Sequence, residues 1–349
     1  MKKVFFRIIT ALIGALFSIL ILEIGLRLYP KFGYRYSSFQ NQHPFLEVLN
    51  MSDQRYLYRP SSLFGYEHIP NNKPYTNRYG LLGKEYKLKK DDDVYRILIL
   101  GDSIAEQRWS ADFLEEDLNR DKYLSGMHRF EIWNAGVSSY DVRRHALFLK
   151  YRGATYNPDM VIIFLFMNDF NSDNNIYYKT KNGIACYNFH LEELHKKSFR
   201  VNPFLMQYSC AYRYAILKLS TCLLQKEKSN GVNKSENDGR YYLGEIKNIC
   251  KKRKISLYVV VFPYLKNFDE YQPYQKEQYF SIMKVLKEIN LDYIDLYSMY
   301  DKLIRQNFNI REKEEDEIHP SKEAHRLIAV EIYQYLRSKL IGRSSHYGL

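Results

Sequence analysis

Four short polar segments of the chain carry the groups that a reactive serine site needs. They lie near apolar runs and far apart in the sequence: Gly101-Asp102-Ser103, Gly136, Asn168-Asp169 and Asp316-Glu317-Ile318-His319. A serine hydroxyl attacks an acyl carbon when a histidine accepts its proton, and nearby N–H groups hold the oxyanion that forms. Together the segments indicate acyl-transfer chemistry, although each one alone is an ordinary turn.

The C-terminal segment offers an acid–base pair. Asp316 and His319 are three residues apart, so in a helical turn both side chains reach one face. The carboxylate can then bind Nδ1–H of the imidazole and leave Nε2 facing Ser103 as a base. Two alternatives remain open from the residues alone: an exposed Asp–His pair beside a helix start, and Ser103 as a helix N-cap.

The other segments offer donors for an oxyanion. Gly136 can present its backbone N–H and Asn168 its side-chain amide, beside the backbone N–H of Ser103. Asp102 can bind amides of its own turn, and Asp169 can hold the loop after Asn168. Each of these residues is equally common as a simple turn residue.

Alternating strands and helices must position these groups. Predicted strands are 95–100, 129–134, 159–166, 255–262 and 291–295; predicted helices are 105–119, 141–152, 240–253, 275–289 and 321–339. Strands of almost unbroken Val, Ile, Leu and Phe are typical of a parallel sheet covered on both faces. We expect an α/β protein, a three-layer α/β/α fold with a five-stranded parallel, flavodoxin-like sheet. Ser103, Gly136 and Asn168 then lie at one edge, because parallel strands end there together.

The N-terminus predicts a transmembrane helix. The run Val4–Leu22 has about the 20 residues that a bilayer span needs, with Arg7 near one end. No small-residue cleavage site follows it, which favours an uncleaved signal anchor over a removed signal peptide. Lys2 and Lys3 favour an extracytoplasmic catalytic domain, while basic residues after the span leave the opposite orientation open.

Composition limits the partners and cofactors. With 52 Lys and Arg against 40 Asp and Glu, the net charge is +12, but the basic residues form only short clusters. We therefore expect no nucleic-acid partner. No metal-ligand pattern or C-x-x-C pair occurs, so no metal or cofactor is predicted. A Cys210–Cys222 disulfide and buried free thiols both stay open, and the oligomeric state is not predicted.

In their order, the four segments resemble the sequence blocks of the SGNH, or GDSL-type, hydrolase superfamily, over residues 95–330 in outline. The resemblance implies Ser103 as nucleophile, His319 as general base and Asp316 as the residue that orients His319. It also implies an oxyanion hole formed by the Ser103 N–H, the Gly136 N–H and the Asn168 amide. Asp102 and Asp169 would support the site.

Two departures from that family bear on the substrate. Many members have Thr and Gly after the serine, where this chain has Ile104-Ala105-Glu106-Gln107, and a glycine where it has Phe166. Both changes reshape the acyl pocket without removing a catalytic group. The segment Asn77-Arg78-Tyr79-Gly80-Leu81-Leu82-Gly83 and the N-terminal helix are similar to membrane-anchored bacterial members, which often act in the cell envelope or on exopolysaccharide.

These observations predict three segments and one activity. The segments are a membrane anchor (1–29), a stalk or cap (30–92) and a hydrolase-like domain (93–342) with an insertion at about 170–240, in which Gln225–Arg240 is predicted to be a mobile loop. We expect a serine esterase for O-acyl, first of all O-acetyl, esters of cell-envelope or extracellular carbohydrate. An O-acyltransferase with the same site and a non-catalytic envelope assembly or binding subunit remain alternatives.

Overall fold

The computed structural model describes residues 2–28, 46–49, 57–61, 63–170, 176–180, 183–187, 205, 209, 211–212, 214–215 and 231–344. The chain forms two compact units. One comprises Met1–Tyr66 and Asp173–Gly231, and the other comprises Glu67–Ser172 and Val232–Leu349. Within the second unit lie all four polar segments singled out from the sequence.

The elements have the following bounds. The strands are β1 Leu46–Leu49, β2 Tyr58–Ser61, β3 Gly65–His68, β4 Val94–Leu100, β5 Arg129–Asn134, β6 Met160–Phe166, β7 Ile176–Thr180, β8 Gly183–Tyr187, β9 Ser256–Phe262 and β10 Tyr293–Asp295. The helices are α1 Lys2–Leu28, α2 Ser103–Glu106, α3 Trp109–Arg120, α4 Lys122–Ser125, α5 Val142–Tyr151, α6 Gly231–Arg253, α7 Pro273–Glu288, α8 Tyr297–Arg305 and α9 Lys322–Ser344, with 3-10 turns at Gly153–Tyr156 and Phe268–Glu270.

The first unit contains α1 and a small antiparallel sheet. The sheet has the order β1-β8-β7. Within α1, the stretch Lys3–Leu26 is 24 residues long with a mean hydropathy of 2.4 and is not buried in the protein. By length and composition, this helix could cross a membrane as an anchor or serve as a signal sequence.

The second unit is built on a parallel five-stranded sheet in the order β10-β9-β6-β4-β5. This confirms the predicted α/β fold and its flavodoxin-like sheet. Every residue of the central strand β6 is buried, because helices cover both faces of the sheet. Ile99 of β4 pairs with Asn134 of β5 and with Ile162 of β6, so the three strands end close together.

Helix α9 shows how the sequence pattern specifies packing. Ala324, Ile328, Ile332 and Leu336 recur at every fourth residue, and all four are fully buried. The helix packs against α3, and the stripe is buried as the helical spacing predicts.

Two predicted elements differ from the structure. The single helix expected over 105–119 is divided into α2 and α3, because Arg108 adopts a left-handed conformation with φ of 70°. The mobile loop expected over Gln225–Arg240 is wrong for residues 231–240, which begin α6; residues 225–230 lie outside the described part of the chain. The polar start of α6 is stabilised by tertiary contacts that the sequence does not reveal. Gly239 packs against the Phe170 ring, and Arg240 binds Glu288; within the helix, Arg240 also binds Glu236 four residues before it.

Candidate active site

Ser103 lies directly after the carboxyl end of β4. The preceding residue, Asp102, is buried, and its Oδ1 accepts a hydrogen bond of 2.9 Å from the Ile104 amide. Asp102 is therefore the N-cap of α2, and the interpretation of Ser103 as the N-cap is wrong. The Ser103 hydroxyl is left to face the loop that carries His319.

Ser103 Oγ lies 2.8 Å from His319 Nε2, and His319 Nδ1 lies 2.8 Å from Asp316 Oδ2. The Asp316–His319 segment is an irregular loop rather than the expected helical turn. What brings the two side chains together is Asp316 Oδ1, which accepts hydrogen bonds from the amides of Ile318 at 2.9 Å and His319 at 3.0 Å.

The positions of the hydrogens on Ser103, His319 and Asp316 follow from their hydrogen bonds. Burial would raise the pKa of Asp316, but the hydrogen bonds from the His319 and Ile318 amides and the His319 ring lower it below its usual value. The carboxylate is then an acceptor only, so His319 Nδ1 must carry the hydrogen. Nε2 is left as an acceptor, and the Ser103 hydroxyl donates to it.

The His319 loop is fastened to the segment that follows β9. Glu317 accepts from the Leu265 amide through its backbone oxygen at 2.9 Å and from Lys266 Nζ through its carboxylate at 2.6 Å. Arg311 Nε donates to the Leu265 oxygen at 2.9 Å. Lys266 is buried while the Glu317 side chain is 39% exposed, so a charge-assisted hydrogen bond at the protein surface helps to hold the loop.

Gly136 and Asn168 lie at the same edge of the sheet, after β5 and β6. A Cβ on Gly136 would come within 2.6 Å of the Ala105 carbonyl carbon, so only glycine lets this loop approach α2. The Gly136 N–H already donates to Asn134 Oδ1 at 2.8 Å, and Asn134 Nδ2 donates to the Ala105 oxygen at 2.7 Å. Asn168 is exposed two residues beyond β6.

Asp169 is buried and closes the turn after β6, with its Oδ2 accepting from the Phe166 amide at 2.9 Å. Burial raises the pKa of Asp102 to about 6, and the Ile104 amide and the charge of His319 offset only part of that effect. Burial and the nearby Asp102 charge raise the pKa of Asp169 well above its usual value. The two carboxyl groups therefore resist being ionised together.

Three further residues join the loops of the site and gave no signal in the sequence. Glu106 Oε2 accepts from the Ser138 amide at 2.9 Å and from the Ser138 hydroxyl. His68 Nε2 lies 3.2 Å from Glu106 Oε1 and 3.1 Å from the Gly136 oxygen. Glu106 and Ser138 are 32 residues apart in the sequence, and His68 is farther still from Gly136. No local spacing could therefore predict these contacts.

No candidate metal site is found among the described residues: no group of three or more His, Cys, Asp and Glu side chains lies close enough together to hold an ion. Cys250 is a buried free thiol whose pKa burial raises to about 12. Cys210 and Cys222 lie outside the described residues.

One protein family matches most of the chain. The model of the GDSL-like lipase/acylhydrolase family matches residues 97–332, a range that contains Ser103, Gly136, Asn168 and His319. No curated protein sequence matches the chain.

Several solved structures are similar in fold. The acetylxylan esterase Axe2 from Geobacillus stearothermophilus is 14% identical, with a TM-score of 0.43 over 69% of this chain and 93% of its own. A lipase/acylhydrolase from Enterococcus faecalis is 15% identical, with a TM-score of 0.42 over 70% of this chain and 96% of its own. A two-domain esterase active on acetylated mannans is 16% identical, with a TM-score of 0.41 over 70% of this chain and 49% of its own. The substrates in these descriptions are those of the proteins named.

Proposed function

The chain belongs to the GDSL-like lipase/acylhydrolase family and is an enzyme, and from this premise we propose that it is a serine hydrolase of O-acyl esters, with Ser103 as its nucleophile. The observation that carries the proposal is the continuous line of hydrogen bonds from Ser103 Oγ to His319 and on to Asp316, at 2.8 Å each. Nucleophile, base and orienting carboxylate stand in the order that acyl transfer needs.

In the proposed reaction, Ser103 Oγ attacks the acyl carbon while its proton passes to His319 Nε2. Asp316 stabilises the imidazolium through the Nδ1–H bond. The tetrahedral intermediate collapses when the ester oxygen takes the proton from His319 and leaves as an alcohol. Water then attacks the acyl-serine while His319 accepts its proton. The second tetrahedral intermediate collapses when His319 gives that proton to Ser103 Oγ, which releases the carboxylic acid and the free serine.

The oxyanion that forms on the acyl carbon requires hydrogen-bond donors, and these must lie on the side of that carbon away from His319. We assign this role to the Ser103 N–H and the Asn168 side-chain amide. The Gly136 N–H would join them by sharing its hydrogen between Asn134 Oδ1 and the oxyanion. Asp102 and Asp169 would hold the turns that carry these donors.

We propose that the acyl group is small, acetyl first of all. Ile104, Ala105 and Gly136, which adjoin the Ser103 turn, are buried and closely packed. The proposed substrate is an O-acetylated carbohydrate of the cell envelope or the extracellular space. The side chains of His319 and Asp316 are 28% and 22% exposed, so water can reach the acyl-serine and hydrolyse it.

The proposal is tested by labelling the folded protein with a fluorophosphonate and by assaying p-nitrophenyl acetate. We expect one covalent adduct, located on Ser103 by peptide mass spectrometry, and ester cleavage that the label abolishes. A protein that is folded by circular dichroism but neither reacts with the fluorophosphonate nor cleaves the ester would contradict the enzyme and support the binding-subunit alternative. Adding an acetyl-accepting oligosaccharide to the assay distinguishes an acyltransferase from a hydrolase, because only the transferase would yield an O-acetylated sugar.

We also propose that α1 is a retained anchor (1–29), followed by a cap segment (30–92) and the catalytic domain (93–342, with the insertion at about 170–240) on the extracytoplasmic side. Within the first unit, Glu23 Oε2 accepts from Ser209 Oγ at 3.0 Å and from the Ala211 amide at 2.8 Å. Removal of α1 as a signal peptide would take away this acceptor. Membrane-fraction protein that begins at Met1 supports the anchor, whereas a mature N-terminus beyond residue 29 contradicts it.

A further inference from the structure

Gln107 connects the Ser103 turn to the loop that carries His319. It follows Ser103 by one helical turn, and its amide has no role in the proposed chemistry. Its Nε2 donates to Glu312 Oε2 at 2.9 Å and lies 3.4 Å from the Pro320 oxygen. Pro320 adjoins His319, and the Glu312 amide donates to the His319 oxygen at 2.9 Å. Gln107 therefore touches the His319 loop on both of its sides.

The other end of the Gln107 amide is held by His325. This histidine has no exposed surface, and both ring nitrogens are bonded: Nε2 to Gln107 Oε1 at 2.8 Å and Nδ1 to Ser110 Oγ at 2.6 Å. Burial, and then the charge of His319, lower the pKa of His325 to about 3. The ring therefore stays neutral and does not compete with His319 for a proton.

The direction of each hydrogen in this chain of bonds follows from what the groups can donate. Gln107 Oε1 accepts only, so His325 Nε2 must carry the ring hydrogen, and Nδ1 must accept from the Ser110 hydroxyl. The NH₂ of Gln107 then faces two oxygens. The reversed amide would place its oxygen against the acceptor oxygens of Pro320 and Glu312, so only the orientation with NH₂ on that side satisfies them.

We propose that Gln107, held in place by His325, is a positioning residue that sets the distance between Ser103 and His319. The inference rests on the proposed function. The nucleophile and the base come from separate elements, and a displacement of about 1 Å between reacting groups can cost about 10² in rate. A bond between the two elements beside the reacting atoms fixes that distance more directly than the packing of distant helices.

The matched comparison lies on the same two helices. His325 and Arg326 are neighbours on α9, and both contact α3: His325 through Ser110, and Arg326 Nη2 through Asp117 Oδ1 at 2.6 Å. If His325 only fastened α9 to α3, losing either contact would have the same kind of effect. If it positions Gln107, only His325 will change catalysis.

The experiment compares Gln107→Ala, His325→Leu, His325→Gln and Arg326→Met for kcat and KM on p-nitrophenyl acetate and for the urea midpoint of unfolding. We expect Gln107→Ala and His325→Leu to lower kcat by about 10- to 100-fold with KM within about twofold. His325→Gln keeps a donor where Nε2 stood, so it should restore most of kcat. Arg326→Met should move the urea midpoint and leave kcat unchanged.

The outcomes separate this inference from the proposed function. An active wild type whose Gln107→Ala variant keeps its kcat overturns the inference alone, even if His325→Leu fails to fold. A kcat loss in Arg326→Met as large as in Gln107→Ala also overturns it. A folded wild type that shows neither labelling nor ester cleavage overturns the proposed function, and the inference with it.

Discussion

The Nε2 atom of His319 lies 2.8 Å from the hydroxyl oxygen of Ser103, although the two residues are 216 positions apart in the sequence. Ser103 is placed by the end of β4, and His319 by the loop between α8 and α9. The loop is fastened to Leu265 and Lys266 after β9, so a parallel strand determines the position of each partner. Two neighbouring groups on one rigid sheet edge need little reorganisation for a proton transfer.

Replacing Ser103 by alanine removes the proposed nucleophile while leaving the Asp102 cap of α2 in place. We expect kcat for p-nitrophenyl acetate to fall by about 10⁴ with no change in the urea midpoint. The exposed Ser125→Ala variant, at the end of α4, is the matched control and should keep full activity. Comparable activity in Ser103→Ala would refute the assignment.

Asp316→Asn should abolish activity through the tautomer of His319. An asparagine can donate to Nδ1, which moves the ring hydrogen to Nε2 and leaves the Ser103 proton without an acceptor. We expect a loss of about 10⁴ in kcat, as for a triad carboxylate changed to its amide. The check is the steady-state rate of the purified variant, together with the circular dichroism spectrum. A variant within tenfold of wild type would show that Asp316 does not orient the base.

Asn168→Ala tests the oxyanion donor. Because Asn168 is exposed, its truncation should change the free energy of unfolding by less than about 0.5 kcal/mol. Loss of one donor to the developing oxyanion should lower kcat by about 10² to 10³. Stopped-flow measurement of acylation and a urea titration give the two values. Unchanged acylation in the stable variant would remove Asn168 from the oxyanion hole.

Gly136→Ala should destabilise the protein, whatever Gly136 contributes to catalysis. The added Cβ would lie 2.6 Å from backbone and side-chain atoms of Ala105, which cannot move without displacing α2. We expect a loss of about 1–3 kcal/mol in the free energy of unfolding. At Gly244 on α6, an added Cβ would meet no atom within 4 Å, so Gly244→Ala should be neutral or stabilising. Equal effects of the two substitutions would contradict the close packing.

The pH dependence of stability should reflect Asp169 and Asp102. Their folded-state pKa values are raised, so their contribution to stability is fully present below the usual pKa of an aspartate and is lost as the pH rises through about 6 and above. Asp169→Asn stays neutral and can still accept from the Phe166 amide. Relative to wild type, it should be more stable at pH 8 than at pH 5.

Urea titrations at pH 5 and pH 8 measure this difference, with the exposed Asp92→Asn as the control that should show none. A variant that is less stable than wild type at pH 8 would mean that Asp169 is ionised and stabilising in the folded protein, and would contradict the raised pKa.

The sheet, and the edge of it at which the site lies, follow from the amino-acid sequence. The run that became β6 is wholly apolar and β4 is apolar from Ile97 to Leu100, whereas β5 has Glu131 between apolar residues. Strands of this composition are typical of a covered parallel sheet. Since parallel strands end at one edge, Ser103, Gly136 and Asn168 had to lie there together. The position of these residues could be predicted because hydrophobic periodicity shows which segments are strands, which are helices and which of their faces are buried.

The hydrogen bonds between the polar groups at that edge depend on the folded structure and could not be predicted. Asp102 rather than Ser103 caps α2, the Gly136 amide binds Asn134, and Gln107 meets His325. The break at Arg108 and the helical start of α6 likewise depend on their surroundings. The bonds of Asp102 and Asn134 join residues two positions apart, but which of several possible turn bonds forms depends on the packing around them. Gln107 and His325 are 218 residues apart, and no local pattern encodes their contact.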